Sequence, residues 1–178
     1  MKQGEVIVIP TDTIYGFAAR EESVQKIFEL KKRSPSNRLV LFVDKIASLD
    51  SFIGEIPRGG KELMEAHWPG PLTLVLPSKS GDTIAIRIPD HALILSLLKQ
   101  TGPLFVTSAN ISGELPLLTS AAIEETFGKE FPILEGYVPT QGLASTILSY
   151  KEGFWEVDRQ GALTKFAVHA KIRESLKI

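Results

Sequence analysis

At 178 residues, with 43% hydrophobic and 23% charged side chains, the chain suits one globular domain that buries about two-thirds of its unfolded surface, which excludes the disordered and fibrous classes. With 20 basic against 21 acidic residues the net charge is −1, so no whole-molecule field holds nucleic acid and any polyanion site must be a local patch. Cysteine is absent, which removes disulfides, thiolate metal sites and a Cys nucleophile, and His67, His91 and His169 are too scattered to form a metal-ligand repeat.

The first predicted element is a buried strand, Val6 to Ile9, ended by Pro10; its apolar run is too short for a signal-peptide core or a membrane span. A hydroxyl-rich turn follows, Thr11-Asp12-Thr13 with Tyr15 and Gly16, which capping of backbone N–H groups explains by itself. Val24, Ile27, Phe28 and Lys31 keep helical spacing in a helix that starts near Ser23 and closes on Lys31-Lys32-Arg33, with Arg38 shortly after. Cations there complement the helix dipole. For Lys31 and Arg33 to share one anionic ligand the helix must end near Lys31, because helical residues two apart face about 200° away from each other.

Strands are expected at Leu39 to Val43, Leu72 to Leu76 and Ile84 to Ile88. Between them, Gly54 to Lys61 imitates a phosphate-binding loop, but its spacing is one residue too long, Glu62 stands where Ser or Thr is needed, and no buried strand leads into it. His67-Trp68-Pro69-Gly70-Pro71 reads as a structural corner. Alternation puts Ile84, Ile86 and Ile88 on one face and Ala85 with Arg87 on the other. A strand arginine is usually a surface residue or a carboxylate's partner; the functional option is bidentate binding of a substrate carboxylate, which suits the planar guanidinium.

Leu93, Ile94, Leu97 and Leu98 mark the next helix, and Leu104 to Thr107 the next strand. Ser108-Ala109-Asn110-Ile111-Ser112-Gly113 then either presents backbone N–H groups and side-chain acceptors to a phosphate or a base, or simply turns and caps. Strands at Ser145 to Leu148 and Phe154 to Val157, then a helix carrying Phe166, Ala167, Ala170 and Leu176, complete the pattern; Ser145-Thr146 and Arg159 are weak signals alone. No linker or repeat divides the chain, so residues 1–178 are expected to form one mixed α/β domain with its chemistry at strand ends.

Five segments in order, Pro10-Thr11-Asp12-Thr13-Ile14-Tyr15-Gly16, Lys31-Lys32-Arg33, His67-Trp68-Pro69-Gly70-Pro71-Leu72-Thr73, Arg87-Ile88-Pro89 and Ser108-Ala109-Asn110-Ile111-Ser112-Gly113, resemble the YrdC/Sua5/TsaC family. The match runs from Val6 to about Gly161, and the length resembles the family's short, single-domain members. The resemblance implies a YrdC-like twisted open mixed sheet with flanking helices and a concave basic cavity. It implies synthesis of L-threonylcarbamoyl-AMP and pyrophosphate from L-threonine, bicarbonate and ATP with Mg²⁺, for N6-threonylcarbamoyladenosine modification of tRNA. Lys31 and Arg33 would be catalytic and, with Ser108, Asn110, Pro116 and Arg159, would bind ATP; Thr11, Arg87 and Ser145 would bind threonine. Mg²⁺ would be held mainly through the ATP phosphates and not by a protein metal site. A downstream tRNA threonylcarbamoyl-transfer complex, a weak tRNA contact, a cytoplasmic location and no membrane association are the further expectations. Ser34 and Arg38 stand where the family commonly has Pro and a small or Pro residue, and a second Pro is common near Pro116.

Two other readings compete: a non-catalytic RNA-binding module using the same basic cavity, which near-zero net charge disfavours, and a carbamoyl-adenylate-forming enzyme of the same fold, normally embedded in a much longer chain.

Overall fold

The computed structural model describes residues 4–32, 39–139, 141–164 and 167–168. Eight strands run β1 (Val6–Ile9), β2 (Gly16–Ala19), β3 (Val40–Phe42), β4 (Leu72–Pro77), β5 (Thr83–Arg87), β6 (Leu104–Ser108), β7 (Thr146–Lys151) and β8 (Phe154–Arg159). The helices are α1 (Val24–Leu30), α2 (Gly60–His67), α3 (Ala92–Thr101) and α4 (Ser120–Phe127), with 3₁₀ turns at Glu21–Ser23 and Ile46–Ser51. The strands form one mixed sheet in the order β1-β2-β6-β3-β5-β4-β7-β8, parallel at β3–β5 and β4–β7 and antiparallel elsewhere.

Side-chain alternation sends each strand's residues to two different cores. In the β1–β2 half, Val6, Val8, Phe17 and Ala19 pack with Ile27 of α1 and Ile123 of α4. Ile7, Ile9 and Ala18 turn the other way and meet Ile94 and Leu98 of α3. Both faces are covered, which is why β1 reads as an unbroken apolar run. The outer edge of β1 pairs with 132–134, where Val8 N donates to Pro132 O and Leu134 N to Val8 O.

In the other half one face is closed by α2: Leu41, Leu72, Leu74, Leu76, Ile86 and Leu148 pack on Leu63, Met64 and Trp68. The opposite face of these strands carries Arg87, Phe42 and Ile147 around an open cavity. The β3–β5 register sets Phe42 beside Arg87.

The sequence-based boundaries shift slightly. The strand expected from Leu39 is regular over Val40–Phe42, and the one expected from Ser145 starts at Thr146 and runs on to Lys151. Strand β2 and helices α2 and α4 were not anticipated. The last expected helix is described only at Ala167 and Val168, so Phe166, Ala170 and Leu176 lie outside the described residues, as does His169. No described helix is long and apolar enough to cross a membrane.

Candidate functional site

The cavity occupies about 620 Å³ including its open mouth. Its lining comes from stretches far apart in sequence: Thr11 and Thr13 to Gly16, Phe42, Arg87, Thr107 with Ser108, Ala144 with Ser145, and Arg159. Tight packing of β2 against β6 shapes its back: a Cβ on Gly16 would lie 2.8 Å from Val106 Cγ1 and 2.9 Å from Thr107 O, so only glycine allows this approach.

The turn after β1 is tied by one hydroxyl. Thr11 Oγ1 accepts from Thr13 N and Ile14 N, each at 3.1 Å, and donates to Ile14 O at 2.7 Å. Thr11's single proton is thereby used, so Thr13 is the donor in the 2.9 Å contact between the two hydroxyls. Thr13 Oγ1 in turn accepts from Arg87 Nη1 at 3.0 Å.

Arg87 is 2% exposed and held on several sides. Its Nε donates to Gly70 O at 2.9 Å, Nη2 lies 2.6 Å from Asp12 Oδ1, and the guanidinium stands 5.5 Å from the centre of the Phe42 ring. The contact with Asp12 is a close ion pair without hydrogen-bond alignment. Burial lowers the Arg87 pKa from its ordinary value and Asp12 opposes that shift; an arginine stays cationic under such conditions. The carbonyl at Gly70 is itself fixed: a Cβ there would sit 2.5 Å from His67 O, and Gly70 N donates to Ile88 O. The His67–Pro71 corner thus serves as scaffold for the arginine.

Lys31 stands behind the Ser108 loop. Helix α1 ends at Leu30, and Lys32 has a left-handed φ of 50°, so the chain breaks helical geometry where a shared ligand for Lys31 and Arg33 requires it. Arg33 and Arg38 lie outside the described residues. Lys31 is 1% exposed, and its ammonium donates to Ser108 O and Asn110 O at 2.5 Å each and to Asn110 Oδ1 at 2.9 Å. Ser108 Oγ donates to Asn110 Oδ1 at 2.5 Å, and Asn110 Nδ2 to Glu114 O at 2.6 Å. Ser108 lines the cavity; Lys31 and Asn110 brace it from beneath. Pro116 is not in the lining, but its neighbour Leu117 returns a hydrogen bond to Ala109 O.

The third wall joins Ser145 to Arg159, whose Nε and Nη2 donate to Ser145 O at 3.2 and 2.9 Å, with Nη2 also 3.3 Å from Ser145 Oγ. Ser145 Oγ shares a 2.8 Å hydrogen bond with the fully buried Thr73. Gly161 lets the chain pass: a Cβ there would fall 2.2 Å from Ala144 O. Burial and, less strongly, Glu135 raise the Tyr15 phenol pKa against a smaller lowering by the Gly136 carbonyl, so the hydroxyl stays protonated and donates to Gly136 O at 3.3 Å.

The fold therefore brings Thr11, Arg87, Ser108, Ser145 and Arg159 to one cavity, with Lys31 and Asn110 immediately behind it. Sequence reasoning gave no role to Asp12, Thr13, Phe42 or Thr73. Asp12, Thr13 and Thr73 lay inside quoted motifs, whereas Phe42 becomes visible only through strand register. Among the described residues no three His, Asp or Glu side chains gather as a metal site.

The Sua5/yciO/yrdC family model, described as telomere recombination, matches residues 1–161. A threonylcarbamoyl-AMP synthase of Bacillus subtilis is 34% identical over 97% of this chain and 54% of its own length, and one of Buchnera aphidicola subsp. Schizaphis graminum is 34% identical over 84% of this chain and 86% of its own. The crystal structure of Pyrococcus abyssi Sua5 complexed with L-threonine superposes with a TM-score of 0.89 at 32% identity, over 97% of this chain and 55% of that one. The chain thus spans about half the length of the Bacillus and Pyrococcus relatives. The five motifs, the open mixed sheet that assembles them and a family model covering nearly the whole chain agree: the chain belongs to the Sua5/YciO/YrdC family.

Proposed function

We propose that this protein synthesises L-threonylcarbamoyl-AMP and pyrophosphate from L-threonine, bicarbonate and ATP, supplying N6-threonylcarbamoyladenosine modification of tRNA. The observation that carries the reading is Arg87, a buried cation aimed from a rigid scaffold into a cavity that also holds Ser145 and Arg159. Its kinship with named threonylcarbamoyl-AMP synthases, and with an archaeal Sua5 structure that contains L-threonine, supports the choice of substrate.

The chemistry asks for two neighbouring subsites. Threonine's nitrogen bonds to the bicarbonate carbon with loss of water, giving a carbamate. A carbamate oxygen then attacks the ATP α-phosphorus while the bond to the pyrophosphate oxygen breaks. In this reading the Arg87 guanidinium binds the threonine carboxylate, with Thr11 and Ser145 lining the same recess. Ser108 and Asn110 hold the nucleotide, and Arg159, Lys31 and Arg33 face its phosphates; Lys31 would exchange a loop carbonyl for a phosphate oxygen on binding. Lys31 and Arg33 stabilise the charge that grows on the departing pyrophosphate, so they are the catalytic pair, and positioning supplies most of the remaining acceleration.

Mg²⁺ in this scheme arrives on the nucleotide. Ions that keep several waters and bind through substrate phosphates need no dedicated cage, and the hydroxyls that line this cavity among the described residues, with the Asp12 carboxylate behind them paired to Arg87, fit that mode. When bound, the ion neutralises phosphate charge. The product passes to a tRNA threonylcarbamoyl-transfer complex in the cytoplasm, with a weak tRNA contact on this chain.

The test is incubation with ATP, Mg²⁺, bicarbonate and labelled threonine. Pyrophosphate and a labelled adenylate should appear together and depend on both threonine and bicarbonate. Pyrophosphate release that ignores threonine but follows carbamoyl phosphate would replace this activity with carbamoyl-adenylate formation.

A further inference from the structure

Asp12 sits at the tip of the turn that Thr11 ties, and its side chain is 12% exposed. Both carboxylate oxygens are shut off from solvent; Oδ1 presses on Arg87 Nη2 at 2.6 Å, and Oδ2 has no donor. Burying a carboxylate is costly, and leaving its second oxygen without a donor adds to the cost. A buried ion pair gives little net stability, since apolar residues of similar volume often do as well. The arrangement therefore calls for a use other than holding the fold together.

We propose that Asp12 is a positioning residue for the threonine subsite: the Asp12 carboxylate fixes the Arg87 guanidinium so that its remaining N–H groups meet a substrate carboxylate. The proposal rests on the reading of this cavity as a threonine site.

Three directions of the guanidinium are occupied by protein: Nε by Gly70 O, Nη1 by Thr13 Oγ1 and Nη2 by Asp12. Gly70 and Thr13 are neutral. Asp12 alone of the three carries charge, and it is the group that sustains a cation where burial opposes one. Without that charge the guanidinium would lean toward water at the cavity mouth, away from the ring of Phe42. Asp12 thus acts through Arg87 and never touches the substrate.

The experiment compares the wild-type chain with Asp12→Asn in two measurements. In threonine-dependent pyrophosphate release, Asp12→Asn should raise the threonine KM about 10- to 100-fold, the size of penalty that a misplacement of about 1 Å brings. The ATP KM should stay within about twofold, because Lys31 and Ser108 are untouched. In NMR of selectively labelled arginine, the Arg87 Nε–H should exchange with water at least about tenfold faster in the variant.

A threonine KM unchanged in Asp12→Asn, or threonine and ATP KM values that rise together, would overturn the positioning role. Should Asp12→Asn not fold, Asp12→Glu keeps the charge but displaces it by one methylene; it is expected to raise the threonine KM alone, by a smaller factor, and an unchanged value overturns the proposal. Wild-type protein that releases no pyrophosphate in response to threonine would remove the functional reading instead. Arg87 exchange then decides Asp12's part by itself: faster exchange in Asp12→Asn supports it, and unchanged exchange rejects it.

Discussion

Two walls of the cavity hold their cations by different means. Arg87 is set against a carboxylate, so that the Asp12–Arg87 pair is neutral as a unit, while the Lys31 ammonium donates to the uncharged oxygens of Ser108 and Asn110. A paired cation exerts little field beyond contact and recognises a ligand by the shape of its remaining donors. An ammonium held by loop oxygens can trade one of them for a phosphate oxygen when the loop yields. Under the proposed function, recognition of a small carboxylate falls to the first wall and contact with phosphate to the second.

The strongest way to break that contrast is Arg87→Ala. It leaves Asp12 buried without a counter-charge, at a cost of about 3–5 kcal/mol of stability, and should raise the threonine KM about 100-fold with far less effect on ATP. Denaturant unfolding and paired KM measurements check both parts. Arg87→Lys should not restore threonine affinity, because a point charge cannot keep three directed contacts and a fork. An equal rise in both KM values would dissolve the distinction between the walls.

Lys31→Ala should give the mirror image. Asn110 O loses its donor, at about 1–3 kcal/mol before the loop relaxes, whereas Ser108 O keeps Asn110 N and Asn110 Oδ1 keeps Ser108 Oγ; the ATP KM should rise about 10- to 100-fold while threonine affinity holds within about threefold. Gly161→Ala probes the third wall, where Arg159 meets Ser145. Its Cβ would meet Ala144 O at 2.2 Å, so the Ala144–Ser145 backbone must yield, at about 1–3 kcal/mol, with threonine and ATP affinity falling together. Ser145→Ala is the mildest: it removes the hydroxyl contact with Thr73, worth about 1 kcal/mol, and the longer one from Arg159 Nη2, and should raise the threonine KM about fivefold.

What could be read from the chain follows from which signals are local. Val6 to Ile9 lies between two covered faces and therefore reads as a strand without further information. Strand β2, Gly16-Phe17-Ala18-Ala19, carries no β-branched residue; it exists because small side chains let it nest between β1 and β6, a fact about its neighbours. Helix α2 was hidden because Gly59 and Gly60 open it, and those glycines are needed for contact with the Trp155 ring, almost a hundred positions away in sequence. The alternation that put Arg87 opposite the Ile84-Ile86-Ile88 face was legible, and the structure has Ile86 and Ile88 in the α2 core with Arg87 in the cavity. That Phe42 flanks it depends on the parallel β3–β5 register, which no local pattern encodes. Likewise the end of α1 at Lys31 could be stated as a geometric requirement, but not the loop carbonyls that Lys31 would find there.

The hydrogen bonds between Val8 and the 132–134 segment have a consequence beyond architecture. They occupy the outward N–H and C=O of Val8 in the middle of an all-apolar strand, so a second molecule meets that margin already paired at its centre. At the opposite end of the described strand order, Glu156 and Asp158 place charges on β8 that discourage strand addition there.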